Sequence, residues 1–275
     1  LLVDDFNGDG KLDFATGFSN LIKIRLGDGT GNFSGNTSIN TGISGVYFLK
    51  SGDFNNDGKP DIVALGLGGK MPVVFNDASG SFTQPTVKMV TVNSTPYSLA
   101  LGDFNNDGNL DFAVITSGSG SAIKPTLSVR LGDGAGNFKD TITTNTNTTI
   151  SLDTPLTNNS QYLETGDFNG DGKLDLLYAN GTTSIQLGDG TGVFTSQPTI
   201  PIVSGTQSFV MGDFNNDGLL DCVRSGTAWL NKCYSAPSLT AAGSLSRTQG
   251  APATNSPIAT VTSGVAPFNV TATTT

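Results

Sequence analysis

The sequence predicts an all-β fold made of repeated four-stranded antiparallel sheets, and three observations support this. A nine-residue motif, D-F-N-[GN]-D-G-x-x-D, occurs five times, beginning at Asp5, Asp53, Asp103, Asp167 and Asp213. Each copy is followed by short runs of β-branched and aromatic residues that glycine-containing turns separate. Helix formers are scarce, since charged residues make up only 13% of the chain, whereas 36 of its 275 residues are glycine.

The spacing of the motif predicts that these sheets are the blades of a β-propeller. Successive copies begin 48, 50, 64 and 46 residues apart, and a period of roughly 40–50 residues fits one four-stranded blade. In the second repeat we predict strands over residues 46–49, 61–65, 71–75 and 87–92. Because tight turns join these strands, they must be antiparallel.

Three parts of the chain depart from the regular repeat. A polar tract rich in Thr and Asn, residues 139–160, lengthens the third spacing and predicts a long surface loop or an extension of its hairpin. The first repeat lacks its entry strand. The fifth has strand-like runs at 208–211, 221–223 and 228–230 but no fourth run.

The composition changes at residue 235, after which Pro, Ala, Ser and Thr are frequent. Within this segment, residues 258–261 and 268–271 alternate in polarity as strands do. We therefore predict an N-terminally truncated series of propeller blades over residues 1–234. A linker and the start of an Ig-like β domain are predicted over residues 235–275.

A second recurring element follows the third strand of a repeat. It reads L-G-D-G-x-G-[NV]-F in its clearest copies, and an Asp-Gly pair followed by another glycine predicts a hairpin turn. The copies span residues 26–33, 131–138 and 187–194, with a degenerate copy at 76–82. Metal binding by the turn aspartates is the alternative, but one carboxylate per turn is too few. The aspartates concerned are Asp28, Asp133 and Asp189.

Nine of the 16 phenylalanines hold fixed places in these two elements. Aromatic residues at fixed places in a repeat are most simply packing anchors between neighbouring units. In the motifs they are Phe6, Phe54, Phe104, Phe168 and Phe214, and in the turns they are Phe33, Phe82, Phe138 and Phe194.

The nine-residue motif has the chemistry of a loop that binds a hard divalent cation. It places carboxylates at positions 1, 5 and 9 and an amide at position 3, and Ca²⁺ prefers several oxygen ligands in flexible geometry. Glycine at position 6 allows a sharp backbone turn, and the carbonyl of position 7 can add a ligand. The alternative is five ordinary Asx-Gly turns, which does not account for three aspartates in every copy.

The candidate ligands come from positions 1, 3, 5, 7 and 9 of each motif, with position 7 contributing its carbonyl. They are Asp5, Asn7, Asp9, Lys11 and Asp13; Asp53, Asn55, Asp57, Lys59 and Asp61; Asp103, Asn105, Asp107, Asn109 and Asp111; Asp167, Asn169, Asp171, Lys173 and Asp175; and Asp213, Asn215, Asp217, Leu219 and Asp221. One Ca²⁺ per repeat, up to five, would offset the net charge of -9. The acidity therefore gives no reason to expect nucleic acid or an anionic membrane as a partner.

Several functional classes are excluded by what the chain lacks. It contains no histidine, which removes His-based general bases, Ser-His-Asp triads and His-ligated zinc. Glu164 is the single glutamate, so a carboxylate pair for glycoside hydrolysis would need aspartates of the motifs. No phosphate-binding or dinucleotide motif is present, and no apolar run is long enough to cross a bilayer. We predict that this chain is not an enzyme.

The two cysteines, Cys222 and Cys233, lie on the predicted arms of one hairpin. A disulfide is one interpretation, and two free buried thiols are the other.

The motif followed by a short apolar strand resembles the FG-GAP/VCBS repeat, and the likeness covers residues 1–234. That family includes the seven-bladed propeller of integrin α-subunits and many secreted bacterial proteins. The resemblance implies one Ca²⁺ in each loop, between the first two strands of a blade, and a secreted or cell-surface protein that serves adhesion. Because five repeats stand where the family usually has seven, it also implies part of a larger ring.

The expected function is a non-catalytic, calcium-binding module that recognises an unknown protein or glycan at the cell surface. Two alternatives stay open, a carbohydrate-binding lectin and an accessory domain of a larger secreted enzyme. Trp229 is the single tryptophan, and no tyrosine recurs once per repeat, which disfavours a sugar site of repeated design.

Overall fold

The structure is a computed structural model that describes eleven segments of the chain. They are residues 1–77, 80–92, 94–117, 126–140, 149–151, 162–180, 182–197, 210–224, 227–231, 239–241 and 259–261. Every regular element within these segments is a β-strand. The described residues accordingly include no helix with the length and apolar character that crossing a membrane requires.

Five antiparallel sheets, which we number as blades 1 to 5, follow one another along the chain. Blade 1 contains β1 (Leu2–Asp4), β2 (Asp13–Phe18), β3 (Leu21–Gly27) and β4 (Phe33–Asn40). Blade 2 contains β5 (Ser44–Gly52), β6 (Asp61–Leu67), β7 (Lys70–Phe75) and β8 (Thr86–Thr91). Blade 3 contains β9 (Pro96–Gly102), β10 (Asp111–Thr116), β11 (Thr126–Gly132), β12 (Phe138–Asp140) and β13 (Thr149–Ser151).

Blade 4 contains β14 (Tyr162–Gly166), β15 (Asp175–Asn180), β16 (Thr182–Gly188) and β17 (Phe194–Ser196). Blade 5 contains β18 (Val210–Gly212), β19 (Asp221–Arg224) and β20 (Thr227–Trp229). In every blade the motif is the loop between the first two strands, and consecutive strands are hydrogen-bonded neighbours except for β12 and β13, which both pair with β11. The predicted all-β fold of four-stranded antiparallel blades is confirmed.

The strands predicted for the second repeat are confirmed to within three residues at either end. The prediction that the first repeat lacks its entry strand is wrong, because β1 pairs with β2 through Leu2↔Ala15 and Val3↔Phe14. Three residues are too few to identify a strand from sequence. Such a strand is defined by the partner that supplies its hydrogen bonds.

The third and fifth repeats, which depart from the regular pattern, agree in part with the predictions from the sequence. β12 pairs with β11 near Gly132, and β13 pairs with the other end of β11 near Thr126, so two short strands share the outer edge of blade 3. This agrees with a hairpin extension for residues 149–151, whereas 141–148 and 152–160 lie outside the described residues. The three runs predicted for the fifth repeat correspond to β18, β19 and β20.

Beyond residue 235 the structure describes β21 (Leu239–Ala241) and β22 (Ala259–Val261), which pair antiparallel. β22 lies within the predicted strand 258–261, and β21 has no counterpart among the predicted strands. The predicted boundary at residue 235 and the strand at 268–271 lie outside the described residues.

The hydrophobic core lies between blades, because an interior blade has a neighbour on each face. All residues of β6 from Asp61 to Gly66 are buried. Ile62 and Ala64 pack into the cluster shared with blade 1, while Val63 and Leu65 pack into the cluster shared with blade 3. Since side chains alternate along a strand, a strand covered on both faces is a continuous apolar run.

The first strand of blades 2, 3 and 4 packs on one or both of the first two strands of the preceding blade. β5 contacts β1 and β2, β9 contacts β5 and β6, and β14 contacts β9. Edge-to-face phenylalanine pairs join the same neighbours, one ring from the motif of a blade and one from the turn of the next. Their centroids are 5.6 to 5.7 Å apart in Phe6–Phe82, Phe54–Phe138 and Phe104–Phe194. The predicted role of these phenylalanines as anchors between units is confirmed for these pairs.

The backbone carbonyl of the motif phenylalanine also accepts a hydrogen bond from the next blade. Where the turn has the L-G-D-G sequence, a turn glycine donates its N–H, from Gly136 to Phe54 at 3.1 Å and from Gly192 to Phe104 at 3.0 Å. Where asparagine replaces the first glycine of that sequence, as in blades 2 and 5, the asparagine side chain donates instead.

Two buried asparagines make these side-chain bonds. Asn76 Nδ2 donates to the carbonyls of Phe6 at 2.9 Å and Pro60 at 3.2 Å. Asn231 Nδ2 likewise donates to the Phe168 carbonyl at 2.6 Å and to a second carbonyl in its own motif. Sequence reasoning did not identify these residues. The sequence feature that could have identified them is the asparagine that replaces glycine at the end of the third strand in two of the five repeats.

We predict that Asn76→Gly, which introduces the residue found at this position in blades 1, 3 and 4, lowers the free energy of unfolding by about 1–3 kcal/mol. The reason is that the buried Phe6 and Pro60 carbonyls lose their donor. Urea unfolding measures the change, and Asn36→Gly, at an exposed strand position, controls for the cost of glycine itself. Equal effects of the two substitutions would contradict the role of Asn76.

Candidate metal centre

The five motif loops share one backbone conformation, which depends on two residues with positive φ. Glycine at position 6 has φ between +80° and +86° in all five copies, which confirms the sharp turn predicted there. Position 4 has φ between +57° and +74°. Glycine, with no Cβ, and asparagine adopt this left-handed region most readily, which explains why position 4 is Gly or Asn.

The side chains of positions 1, 3 and 5 fold over their own loop. In the second motif, Asp53 accepts the backbone N–H of Asp57 at 3.1 Å and of Gly58 at 2.7 Å. Asn55 Oδ1 accepts the Asp57 N–H at 3.2 Å, and its Nδ2 donates to Asp57 Oδ2 at 3.1 Å. Asp57 Oδ1 in turn accepts the N–H of Lys59 at 3.0 Å. The short polar side chains thus replace a regular backbone ladder within the loop.

The aspartate at position 9 is fully buried in every copy and accepts two backbone N–H groups. One oxygen accepts the N–H of the motif phenylalanine at 2.8 to 3.0 Å. The other accepts the N–H of a residue just after or at the end of the third strand, at 2.7 to 2.9 Å. The carboxylate therefore ties the start of the loop to the third strand of the blade.

Burial perturbs these aspartates. It raises the pKa of Asp61 to about 7, against the lowering effect of its two N–H donors, and the charges of Asp57 and Asp53 add to the rise. The same causes raise the pKa of Asp111 and of Asp175 to about 6. The carboxylates of positions 1, 5 and 9 are therefore close enough in these motifs to repel one another.

In each motif the structure brings the predicted side-chain ligands together on one loop. Their oxygens accept hydrogen bonds from backbone N–H groups. Within the part of the chain that is described, no three Cys, Asp or Glu side chains are grouped so that they could hold a metal ion. The ligand set from Asp5 to Asp221 therefore stays a prediction.

The donor chemistry of each loop nevertheless suits a hard cation. Three carboxylates and one amide offer only oxygen, which suits Ca²⁺ and excludes the sulfur and imidazole ligands that favour zinc or copper. Each ionised carboxylate has about four lone-pair sites, so a carboxylate that accepts two N–H groups keeps capacity for a cation. A bound cation would also relieve the repulsion among the three carboxylates.

The aspartates of the L-G-D-G turns bond within their own turns, as the hairpin-turn interpretation predicts. Asp28 Oδ1 accepts the N–H and hydroxyl of Thr30 at 2.8 and 2.7 Å, and Asn32 donates to Oδ2 at 3.0 Å. Asn137 donates its side chain and backbone N–H to Asp133 in the same way, which lowers the pKa of Asp133 to about 2. These carboxylates are engaged within their own turns.

Cys222 is a buried free thiol in β19, and burial together with the neighbouring Asp221 raises its pKa to about 12. This favours the free-thiol interpretation for Cys222. Cys233 lies outside the described residues.

Comparison with known families agrees with the repeated loops. The profile of the FG-GAP-like repeat matches residues 5–64, 53–114 and 167–223, and that of the FG-GAP repeat matches residues 95–137. The chain belongs to the FG-GAP repeat family. The matches span all five motif loops in full, so they agree with the propeller fold of this family. No curated protein matches the chain.

Among solved structures, an Agrocybe aegerita lectin has a similar fold, and it is described as recognising non-reducing terminal N-acetylglucosamine. The TM-score is 0.52 at 17% sequence identity, and the alignment covers 80% of this chain and 59% of the lectin. The FG-GAP repeat chain thus spans less than two thirds of the lectin's length. At this identity the likeness concerns the fold alone.

We predict that, in metal-free solution, the free energy of unfolding falls as the pH rises from about 4 to about 7. The folded pKa of Asp61, about 7, lies above its ordinary value of 3.8. The folded protein therefore binds more protons than the unfolded chain in this window, and stability is lost as pH rises through the folded pKa. Urea midpoints across this range measure the slope.

Asp61→Asn should reduce this slope, because it removes one of the perturbed carboxyl groups. Asp133→Asn is the control and should leave the slope above about pH 5 unchanged, since Asp133, with its lowered folded pKa, is then ionised in both the folded and the unfolded state. A slope of opposite sign in the wild-type protein would contradict the prediction.

Proposed function

We propose that this FG-GAP repeat chain is a non-catalytic, calcium-binding propeller module for adhesion or ligand recognition outside the cell. The observation that carries the proposal is the motif loop, which recurs five times with three carboxylates, one amide and the same hydrogen bonds. To connect the first two strands of a blade, the fold needs only a turn and no carboxylates. Fifteen aspartates in five loops are a large electrostatic cost unless cations bind among them.

Calcium would be structural in this protein. The residues that would hold it are those at positions 1, 3, 5 and 9, with the carbonyl of position 7. Position 9 is also the carboxylate that ties the loop to the third strand, so an ion bound there would stabilise loop and blade together. Modules of this kind in extracellular proteins bind Ca²⁺ with dissociation constants of about 10⁻⁴ to 10⁻³ M. Sites of that affinity fill in extracellular fluid, which supports a secreted or cell-surface protein.

A non-catalytic role is supported by the composition of the chain. It has no histidine, and the aspartates whose pKa burial raises, Asp61, Asp111 and Asp175, belong to the motif loops, where backbone N–H groups engage both carboxylate oxygens. The recognised ligand in this proposal is a protein or a glycan of the cell surface.

A lectin is the second candidate, and a cleft between blades 2 and 3 favours it. The cleft has a volume of about 460 Å³ and is lined by polar and apolar groups, among them Asn55, Phe75, Thr86 and Lys88. A half-buried aromatic ring beside amide, hydroxyl and ammonium groups is a surface that can accept a sugar ring. The fold shared with an N-acetylglucosamine-recognising lectin supports this candidate only at the level of architecture.

We predict that saturating Ca²⁺ raises the melting temperature of the chelated protein by several degrees and binds with up to five ions per chain. Binding only to the folded state stabilises that state by mass action. Scanning calorimetry and equilibrium dialysis measure the two quantities. Asp57→Ala should remove one ion and part of the shift, because its loop loses a charged ligand.

Asp133→Ala is the matched control for the calcium experiment. It removes an exposed aspartate of a turn, so it should lower the baseline melting temperature and leave the Ca²⁺-induced shift and the stoichiometry unchanged. A wild-type protein whose melting temperature does not respond to Ca²⁺ would refute a structural role for calcium.

We predict for the lectin candidate that a glycan array gives a reproducible signal on one class of sugar, with affinity lost on Lys88→Ala. Lys88 lines the cleft and hydrogen-bonds Asn137 of blade 3. Lys50→Ala, a lysine outside the cleft whose nearest acidic partner is Glu164, is the control. An array with no reproducible signal would leave protein recognition as the function.

A further inference from the structure

The first and fourth motif loops differ from the other three at position 4, which follows the position 3 asparagine. They contain the pairs Asn7–Gly8 and Asn169–Gly170, whereas the second, third and fifth loops have Asn-Asn at these positions. The amide carbon of an asparagine side chain is an electrophile, and the nitrogen of the next residue is a nucleophile close to it. Because glycine has no Cβ, its nitrogen can approach that carbon with the least steric hindrance.

The nitrogen of each of these glycines is hydrogen-bonded to a carboxylate. The Gly8 N–H donates to Asp5 Oδ1 at 2.8 Å, and the Gly170 N–H donates to Asp167 Oδ1 at 2.7 Å. In all five loops the position 1 aspartate accepts the N–H groups of positions 5 and 6. The additional bond from position 4 is found in the two loops with glycine. A carboxylate bonded to an N–H in this way is placed to accept its proton.

The asparagine amide is held by its oxygen. Asn7 Oδ1 accepts the Asp9 N–H at 3.0 Å, and Asn169 Oδ1 accepts the Asp171 N–H at 2.9 Å. Such a donor stabilises the negative charge that develops on the oxygen when a nucleophile adds to the amide carbon. The amide nitrogen of Asn7 makes a long contact, 3.4 Å to Asp9 Oδ2, which offers little resistance to its departure.

Water has access to both pairs, because Gly8 and Gly170 are exposed. A Cβ built on Gly8 would meet no atom within 4 Å, and one built on Gly170 would meet a methyl carbon of Leu219 at 3.2 Å. A group formed between positions 3 and 4 of these loops can therefore be hydrolysed.

We propose that the first and fourth loops are sites of self-catalysed deamidation, at Asn7 and Asn169. The glycine nitrogen bonds to the asparagine Cγ, and the position 1 carboxylate accepts the N–H proton. The bond from Cγ to the amide nitrogen breaks, and that nitrogen takes up the proton and leaves as ammonia. The product is a cyclic imide. Water then adds to either carbonyl of the imide and opens the ring to aspartate or isoaspartate, without an oxidant or a reductant.

The modification would make two loops chemically different from the other three. Each conversion replaces a neutral amide with a carboxylate, so the first and fourth loops gain a fourth negative charge. In the isoaspartate product the main chain passes through Cβ, which lengthens the loop backbone by one carbon. The proposal goes beyond the proposed function and does not depend on it, because the reaction needs only the loop residues and water.

Peptide mapping by mass spectrometry tests the proposal on the folded chain, incubated at neutral pH in buffer that contains a chelator. Deamidated peptides should accumulate at Asn7 and Asn169, with isoaspartate detected by labelling with an isoaspartyl methyltransferase, while Asn55 and Asn105 stay intact. The chain unfolded in guanidinium chloride at the same pH is the reference. Folding should raise the rate at Asn7 at least about tenfold, because a positioned base and an oxyanion donor each contribute that much or more.

Asp5→Asn tests the role of the carboxylate. It should slow the conversion of Asn7 at least about tenfold, because the loop loses its base. The conversion of Asn169 in the same molecule is the control and should be unchanged, since the fourth loop keeps Asp167.

Asn56→Gly tests the role of the glycine. It introduces the Asn-Gly pair into the second loop beside Asp53, and Asn55 should then convert. This variant retains every carboxylate, so it decides the question if Asp5→Asn does not fold by circular dichroism.

Three outcomes would overturn the proposal. One is a folded chain in which Asn7 and Asn169 convert no faster than in the unfolded reference. Another is a folded Asp5→Asn protein that converts Asn7 at the wild-type rate, as a simple Asn-Gly pair would. The third is an Asn56→Gly protein in which Asn55 stays intact.

Discussion

Each blade depends on one buried carboxylate, the aspartate at motif position 9. It accepts the N–H of the motif phenylalanine and an N–H at or just after the end of the third strand, so it joins the loop to a segment 10 to 21 residues further along the chain. Burying a charge in this position is unfavourable, as the raised pKa of Asp61 shows. The two N–H donors offset part of that cost. The loop around this carboxylate carries the other two aspartates, so the structural anchor and the candidate cation site share one residue.

The blades are held together by a repeated set of contacts between the motif of one blade and the turn of the next. The motif phenylalanine contributes its ring and its carbonyl, and the following blade contributes a turn phenylalanine and a donor. Two kinds of donor fill the same role, a glycine N–H in blades 3 and 4 and an asparagine side chain in blades 2 and 5. The three interfaces among blades 1 to 4 therefore share the edge-to-face pair of phenylalanine rings.

Much of the fold and of the candidate site follows from the residues of one repeat. The motif period, the β-branched runs and the Asp-Gly turns indicated antiparallel blades. The glycine at motif position 6, such as Gly58, predicted a sharp turn, and it has a positive φ in the structure. The short entry strand β1 could not be recognised, because three residues carry no periodicity and their partner is in another strand. Asn76 and Asn231 were missed for a related reason, since their acceptors lie about 60–70 residues earlier in the chain.

The sequence by itself determined the all-β class, the number of motif loops and the oxygen-rich chemistry of each loop, because these are local properties of nine residues. Only the tertiary structure decided what each aspartate does within the loop. It separated the buried position 9, tied to two backbone N–H groups, from positions 1 and 5 on the exposed loop. It also decided which phenylalanines are buried. Phe54 and Phe214 stand in the same D-F-N-N-D-G sequence, but Phe54 is buried against the ring of Phe138 whereas Phe214 is half exposed.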